Sequence, residues 1–88
     1  LFGDSNPCSS TKGATGHTLG AAGALEAVIC ALSIRHGLMP AGCGCVSPDP
    51  LIPIDYLTAN RSRPVTRSLS NSFGFGGTNC SLILGRAQ

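Results

Sequence analysis

The chain has 88 residues, of which only 11% are charged, and a formal net charge of +2. Ordinary globular domains carry roughly 25% charge, and a domain this small exposes most of its residues to water, so the composition predicts a segment of something larger. A first residue of Leu1 rather than Met agrees with a segment cut from a longer chain. With no basic run and little aromatic interleaving, the charge pattern excludes a nucleic-acid footprint.

In chain order, Leu1 to Asn6 reads as a loop, with Asp4, Ser5, Asn6 and Pro7 as turn formers. Cys8 to Thr11 follows as a short extended piece. The one strong helix candidate runs from Gly16 to His36, with Thr15 placed to cap its start. Gly37 stands ready as a left-handed stop, and Arg35 and His36 suit the negative end of the helix dipole. Its apolar residues run almost all the way round, the pattern of a helix covered on every side. Gly16, Gly20 and Gly23 among alanines predict close backbone packing, because glycine costs roughly 1 kcal/mol against alanine in a helix interior. Thr18 to Ile34 is apolar but shorter than the roughly 20 residues of a membrane span, and Glu26 sits in its middle. We therefore expect a buried helix of a protein core and no membrane span. No charged leader and cleavage site precede it.

Leu38 to Gly42 fits a short strand or bend. Cys43 to Pro53 is a connection in which Pro48, Pro50 and Pro53 forbid regular structure. Ser68 to Phe73 and Asn79 to Gly85 are strand candidates around a glycine turn, which predicts a hairpin-like pair. No internal repeat is present. The cysteines are Cys8, Cys30, Cys43, Cys45 and Cys80, an odd count without a CxxC pair. Cys43-Gly44-Cys45 is too tight for the usual zinc spacing, so no metal is expected. Small thiols in a reducing cytoplasm are the simpler reading. Two glycosylation patterns, at Asn60 and Asn79, carry no weight without a secretion signal.

Three features carry chemistry. The loop NSFGFGGTN, Asn71 to Asn79, holds Gly74, Gly76 and Gly77, and successive backbone N–H groups in such a loop can converge on a developing oxyanion. A plain tight turn is the alternative; a dinucleotide fingerprint and a P-loop are both excluded by the spacing. His17 at the start of the helix favours a neutral ring that donates one hydrogen bond, against the alternative of a helix-end histidine bonded to a backbone carbonyl. Glu26 is a lone carboxylate on an otherwise uncharged helix and must find a partner or stay protonated. Lys12, otherwise an ordinary solvated loop lysine, is the natural candidate.

SSTKGATGHTLGAAGALEA together with SNSFGFGGTN resembles the C-terminal end of the beta-ketoacyl-acyl-carrier-protein synthases, condensing enzymes of the thiolase superfamily. The resemblance spans nearly the whole chain. It implies the C-terminal part of a five-layer αβαβα fold: residues 1–88 would be an incomplete domain, with one buried helix in the middle layer and strands of a mixed sheet. It implies acyltransferase chemistry, the decarboxylative Claisen condensation of an acyl thioester with malonyl-acyl carrier protein. His17 matches a catalytic histidine that hydrogen-bonds the thioester carbonyl. Lys12 matches the active-site lysine, with Glu26 as its pairing glutamate. Phe75 matches the gating phenylalanine whose N–H helps form the oxyanion hole, and Gly74, Gly76 and Gly77 let its loop move.

The resemblance further implies no cofactor beyond the phosphopantetheine arm of the acyl carrier protein, and a homodimeric or heterodimeric cytoplasmic parent. Gly13 and Ala14 depart from the family's common STKSMTGH, and Cys80 stands where glycine or alanine is usual, so acyl preference does not transfer. The family's nucleophilic cysteine and its second histidine match nothing here, and the segment alone is expected to be inactive. The alternatives are a non-catalytic partner of a condensing enzyme, similar to a chain-length factor, and a stand-alone binding module, against which the low charge argues.

Overall fold

The run Ala22 to His36, rich in alanine and leucine and free of proline, forms the one long helix, α2 (Ala22–His36). It belongs to a computed structural model that describes residues 5–44, 47–52 and 54–87. Before it come a two-residue strand β1 (Pro7–Cys8), a single turn α1 (Lys12–Thr15) and a 3-10 turn (Leu19–Ala21). After it come β2 (Leu38–Met39), β3 (Asp55–Tyr56), β4 (Arg61–Ser62), β5 (Arg67–Phe73) and β6 (Asn79–Gly85). The turn read into residues 1–4, and Cys45, Val46 and Pro53 of the proline-rich connection, lie outside the described residues.

The helix begins later than its apolar pattern predicts. Gly16 to Thr18 is not helical, Leu19 adopts a positive φ of 52°, and α2 is entered from the 3-10 turn with Ala21 at its N-cap and no side-chain cap. Thr15 instead closes α1, its hydroxyl donating to Thr11 O and Gly16 O. Glycines at 16 and 20 withhold the helical bias needed to extend α2 backwards. The predicted stop holds: Gly37 adopts φ 61°, ψ 43°, its N–H donates to Ser33 O, and its carbonyl accepts the Arg63 N–H at 2.9 Å. Left-handed backbone costs a non-glycine residue roughly 1–2 kcal/mol. From the far end of the chain Arg86 donates to Ile34 O at 2.9 Å, satisfying a carbonyl that the last helical turn leaves free.

β5 and β6 form the expected antiparallel hairpin, in register from Arg67↔Gly85 to Phe73↔Asn79. It lies against α2, and Gly23 permits the approach: a Cβ there would stand 3.6 Å from Ser72 Oγ. Period-2 alternation then turns Ser68, Ser70 and Ser72 toward the helix, and Ser70 is 9% exposed. The other face carries Leu69, Phe73 and Ile83, all exposed.

The remaining strands pair separately, β1 with β3 in parallel and β2 with β4 antiparallel. Leu57 knits this region together: its N–H donates to Cys8 O at 2.9 Å and its carbonyl accepts from Gly42 at 3.0 Å. The described residues thus form a mixed α/β arrangement with three two-stranded sheets, where the resemblance implied strands of a mixed sheet. A continuous sheet needs further strands on the open edges.

The second correction concerns burial of α2. Ile34 is its one buried residue, while Val28 and Leu32 remain 55% and 46% exposed, because the chain supplies a covering layer on one side only. Residues Leu19–His36 are long and apolar enough to cross a membrane, longer than the sequence reading allowed. The ion pair of Glu26 with Lys12 and the hairpin on one face assign the helix to a protein layer.

A two-point ion pair braces β3 and β4: Arg61 donates to both Asp55 oxygens, at 2.9 and 3.2 Å. That hydrogen bonding, aided by the charges of Arg61 and Arg63 and opposed by partial burial, holds the Asp55 carboxyl below its ordinary 3.8. A lowered folded-state pKa stabilises the fold above the unfolded value and loses that contribution as pH falls through the folded value. The stability gap between the natural protein and Asp55→Asn should therefore be widest above pH 3.8 and close on further acidification, read by denaturant unfolding at successive pH values.

Candidate active site

α1 is a single turn closed by Ala14 and Thr15 N–H groups on Thr11 O, and by Gly16 N–H on Lys12 O at 2.8 Å. It holds Lys12 so that its ammonium meets Glu26 Oε1 from α2. The lysine and glutamate side chains are 37% and 19% exposed, so each charge gives up part of its hydration and compensates the other's loss of water. The carboxylate that the apolar helix could not leave alone has the partner expected of it.

His17 lies ahead of α2, not within its first turn. Its Nδ1 accepts the Leu19 N–H at 3.1 Å, a local side-chain-to-backbone bond that replaces both the dipole contact and the backbone-carbonyl partner considered from sequence. An accepting Nδ1 carries no proton, so the neutral ring presents Nε2–H as a donor. Leu19 makes this bond from left-handed backbone, which costs a leucine roughly 1–2 kcal/mol. Strain of this kind clusters at functional sites, and no residue type announced it.

The ring of His17 stacks on Phe75, with centroids 6.4 Å apart and planes at 19°, within the range of favourable aromatic pairs. Phe75 sits at the tip of the β5–β6 turn and is 95% exposed with His17 in place. The turn is a tight one. Gly74 N–H donates to Thr78 O at 2.8 Å, Gly77 N–H donates to Gly74 O at 3.1 Å, and Gly77 has φ 88°, the pattern of a three-residue hairpin loop with a glycine bulge. Of the two sequence readings of this loop, the tight turn is the one these bonds describe. Gly74 and Gly77 spend their N–H groups inside the turn, and among the described residues Phe75 and Gly76 N–H make no backbone hydrogen bond.

A cleft of about 540 Å³ runs between the α1–α2 connection and the hairpin. Lys12, His17, Glu26 and Gly74 line it, while Phe75, Gly76 and Gly77 of the loop tip are not among its lining residues. A second cleft of about 590 Å³ opens further along the same face of α2, toward β1 and β5, and Lys12, Glu26 and Asn71 border both. Sequence reasoning did not place Leu19, Asn71, Thr78 or Cys80 at the first cleft. Strand alternation held the signal for Cys80, which pairs with Ser72 on the helix-facing side. Cys80 is exposed and opens a strand, without the helix start that would make it a nucleophile.

The arrangement offers a neutral imidazole donor and a lysine held by a carboxylate at one cleft, beside a glycine turn with two N–H groups that make no backbone hydrogen bond. Such a set stabilises negative charge on a carbonyl oxygen. Direct detection of ring nitrogens by ¹⁵N NMR should find His17 Nδ1 unprotonated and Nε2 protonated near neutral pH; the opposite tautomer would remove the donor from the cleft.

Comparison with known proteins places these residues in context. The profile of the beta-ketoacyl synthase C-terminal domain matches residues 1–45. The chain is similar to the mitochondrial 3-oxoacyl-(acyl-carrier-protein) synthase of Arabidopsis thaliana, 52% identical over 77 residues, 85% of this chain and 17% of that protein. It is 50% identical over 90 residues to 3-oxoacyl-(acyl-carrier-protein) synthase 2 of Rhizobium meliloti, 98% of this chain and 21% of the relative. It is 42% identical over 83 residues to the ketoacyl synthase alpha subunit of the tetracenomycin polyketide synthase of Streptomyces glaucescens, 93% of this chain and 20% of that subunit. The chain thus spans about a fifth of the length of these relatives.

Proposed function

The chain belongs to the beta-ketoacyl synthase C-terminal domain family, and from that premise we propose that it is the C-terminal part of a 3-oxoacyl-(acyl-carrier-protein) synthase. The reaction is a decarboxylative Claisen condensation that lengthens an acyl chain by two carbons, in fatty-acid or polyketide elongation. One observation carries the reading: His17, with Nε2–H free to donate, shares a cleft with the Lys12–Glu26 pair and is stacked on Phe75 of the glycine turn.

The chemistry divides between this segment and the rest of the parent. The acyl group is held as a thioester on a cysteine of the upstream part. A malonyl thioester loses carbon dioxide, and the electron pair of the broken C–C bond passes into an enolate. His17 Nε2–H binds the thioester oxygen on which that charge gathers. The enolate carbon attacks the acyl carbonyl, whose oxygen becomes negative in turn. Phe75 N–H faces this oxyanion, and collapse expels the cysteine thiolate. Lys12, oriented by Glu26, supplies positive potential near the departing carboxylate. Phe75 at an exposed turn suits a gate over the acyl pocket.

The thiolase-like five-layer arrangement belongs to the same proposal. It is supported by a hairpin with apolar side chains on the face away from α2, and by a helix left half uncovered. Acyl carrier protein delivers both thioesters on its phosphopantetheine arm, and the parent works as a dimer. Free Cys8, Cys30, Cys43 and Cys80 suit a reducing compartment, the cytoplasm or the mitochondrion that the name of the Arabidopsis relative specifies. Retention of His17 and of the Lys12–Glu26 pair argues against a non-catalytic partner.

In the full-length parent, His17→Ala should lower malonyl decarboxylation by about 10²- to 10³-fold, the usual cost of one preorganised donor, while acyl loading of the upstream cysteine persists; equal loss of both steps would count against this role. The isolated 88 residues should condense nothing when given acyl and malonyl carrier protein, measured as product by mass spectrometry.

A further inference from the structure

Charge is distributed unevenly over this chain. Of its six lysines and arginines, Lys12 and Arg61 each meet a carboxylate, Glu26 and Asp55 respectively. The other four, Arg35, Arg63, Arg67 and Arg86, form no ion pair among the described residues, and the fold gathers them at the C-terminal end of α2. Arg35 lies in the last turn of the helix beside His36. Arg63 N–H donates to the carbonyl of Gly37, the helix stop, at 2.9 Å. The Arg86 guanidinium donates to Ile34 O at 2.9 Å, and Arg67 pairs with Gly85, the neighbour of Arg86. All four arginines and His36 are exposed. A helix C-terminus favours cations, but its carbonyls already accept Arg86 at Ile34 O and the Gly37 N–H at Ser33 O. Arg63 also adds to the field that keeps Asp55 ionised. Neither role calls for four guanidiniums in a chain that is only 11% charged. Arginine, unlike lysine, is enriched in protein interfaces, where its planar fork grips a carboxylate at two points, as Arg61 grips Asp55.

We propose that the C-terminal end of α2 is a docking surface for an acidic protein, one that presents a cluster of carboxylates to these arginines. Further layers of the parent are a poor cover for it: layers close over apolar faces, and stripping unpaired guanidiniums of water is costly. A second copy of this segment offers no complement among the described residues, since Glu26 and Asp55 are paired and Asp49 accepts the Leu51 N–H. Nucleic acid fits less well. The Tyr56 ring is committed to Gly42 and Phe73 and Phe75 lie at the opposite end of the hairpin, so no aromatic platform offers a base a place to stack. The 15 residues of α2 span about 22 Å, which sets this surface apart from the His17 cleft and from the chemistry. Its field steers an acidic partner toward the parent and fixes the orientation in which it docks.

The test measures binding of a fluorescein-labelled oligoglutamate peptide to the full-length parent by fluorescence anisotropy at rising salt. Affinity should fall as salt rises, and Arg67→Gln should weaken it roughly two- to fivefold, the scale of one exposed ion pair. Arg35→Gln, on the exposed side of α2, makes the same measurement if Arg67→Gln unfolds. Asp49→Asn raises the net charge by one unit away from the cluster, keeps an acceptor for the Leu51 N–H, and should leave the affinity unchanged. A gain from Asp49→Asn as large as the loss from Arg67→Gln means attraction to net charge alone and overturns the proposal. Failure of the peptide to bind overturns it too, as does tighter binding of an oligothymidylate of equal charge. A crystal structure of the parent gives an independent readout: Arg35, Arg63 and Arg67 free at its surface support the docking surface, and their pairing with the parent's own carboxylates overturns it.

Discussion

A carboxylate in the middle of an apolar helix needs a partner or a proton, and that constraint organises this chain. Glu26 faces out of α2 at the level where α1 passes, and the ion pair with Lys12 fastens an otherwise isolated turn to the longest element. His17 follows Lys12 by five residues, so fastening α1 also fixes where the imidazole begins. Without the pair, the connection from Thr11 to Ala21 would be held to α2 by short-range backbone bonds alone. With it, the ammonium and the imidazole approach one cleft, and the ion pair becomes the wall separating that cleft from the one beyond.

The hairpin supplies the opposite side under a different constraint. Its helix-facing side pairs Ser68, Ser70 and Ser72 with Leu84, Leu82 and Cys80, the serines letting α2 approach closely at Gly23, whereas Leu69, Phe73 and Ile83 point away into solvent. A sheet with apolar residues on both faces is one meant to be covered on both sides. Close approach on the helix side carries the β5–β6 turn to within stacking distance of His17, and so joins two motifs that are remote in sequence. Few residues of this chain are deeply buried, and the described apolar core comprises Ile34 and Leu57. The site is thus assembled on a scaffold whose cohesion is incomplete within these residues.

Much of this was legible beforehand. The helix stop at Gly37, the hairpin from Arg67 to Gly85 and the pairing of Glu26 with Lys12 each follow from a local rule, respectively left-handed glycine, strands flanking a glycine turn, and the cost of a buried lone charge. What could not be read depends on contacts that carry no periodic signal. β3 and β4 are two residues each and exist because partners distant in sequence align with them. The late start of α2 depends on Leu19 taking left-handed backbone, which a leucine does only when its surroundings require it. The glycine loop was ambiguous between a turn and an oxyanion cradle, and only the hydrogen bonds of Gly74 and Gly77 show the turn.

By itself the sequence determined the chemical inventory: one lysine, a histidine, a lone helical carboxylate and a glycine turn bearing phenylalanine, because residue type and spacing fix charge, hydrogen-bonding capacity and local backbone preference. It also determined that the helix is apolar on every side, since burial preference is written residue by residue. Tertiary structure alone decided which N–H groups of the turn are free, that the His17 ring offers Nε2–H rather than Nδ1–H, and that Arg35, Arg63, Arg67 and Arg86 gather at one end of α2. Those outcomes depend on the relative placement of segments dozens of residues apart, where a displacement of about 1 Å makes or breaks a contact, and no local rule carries that information.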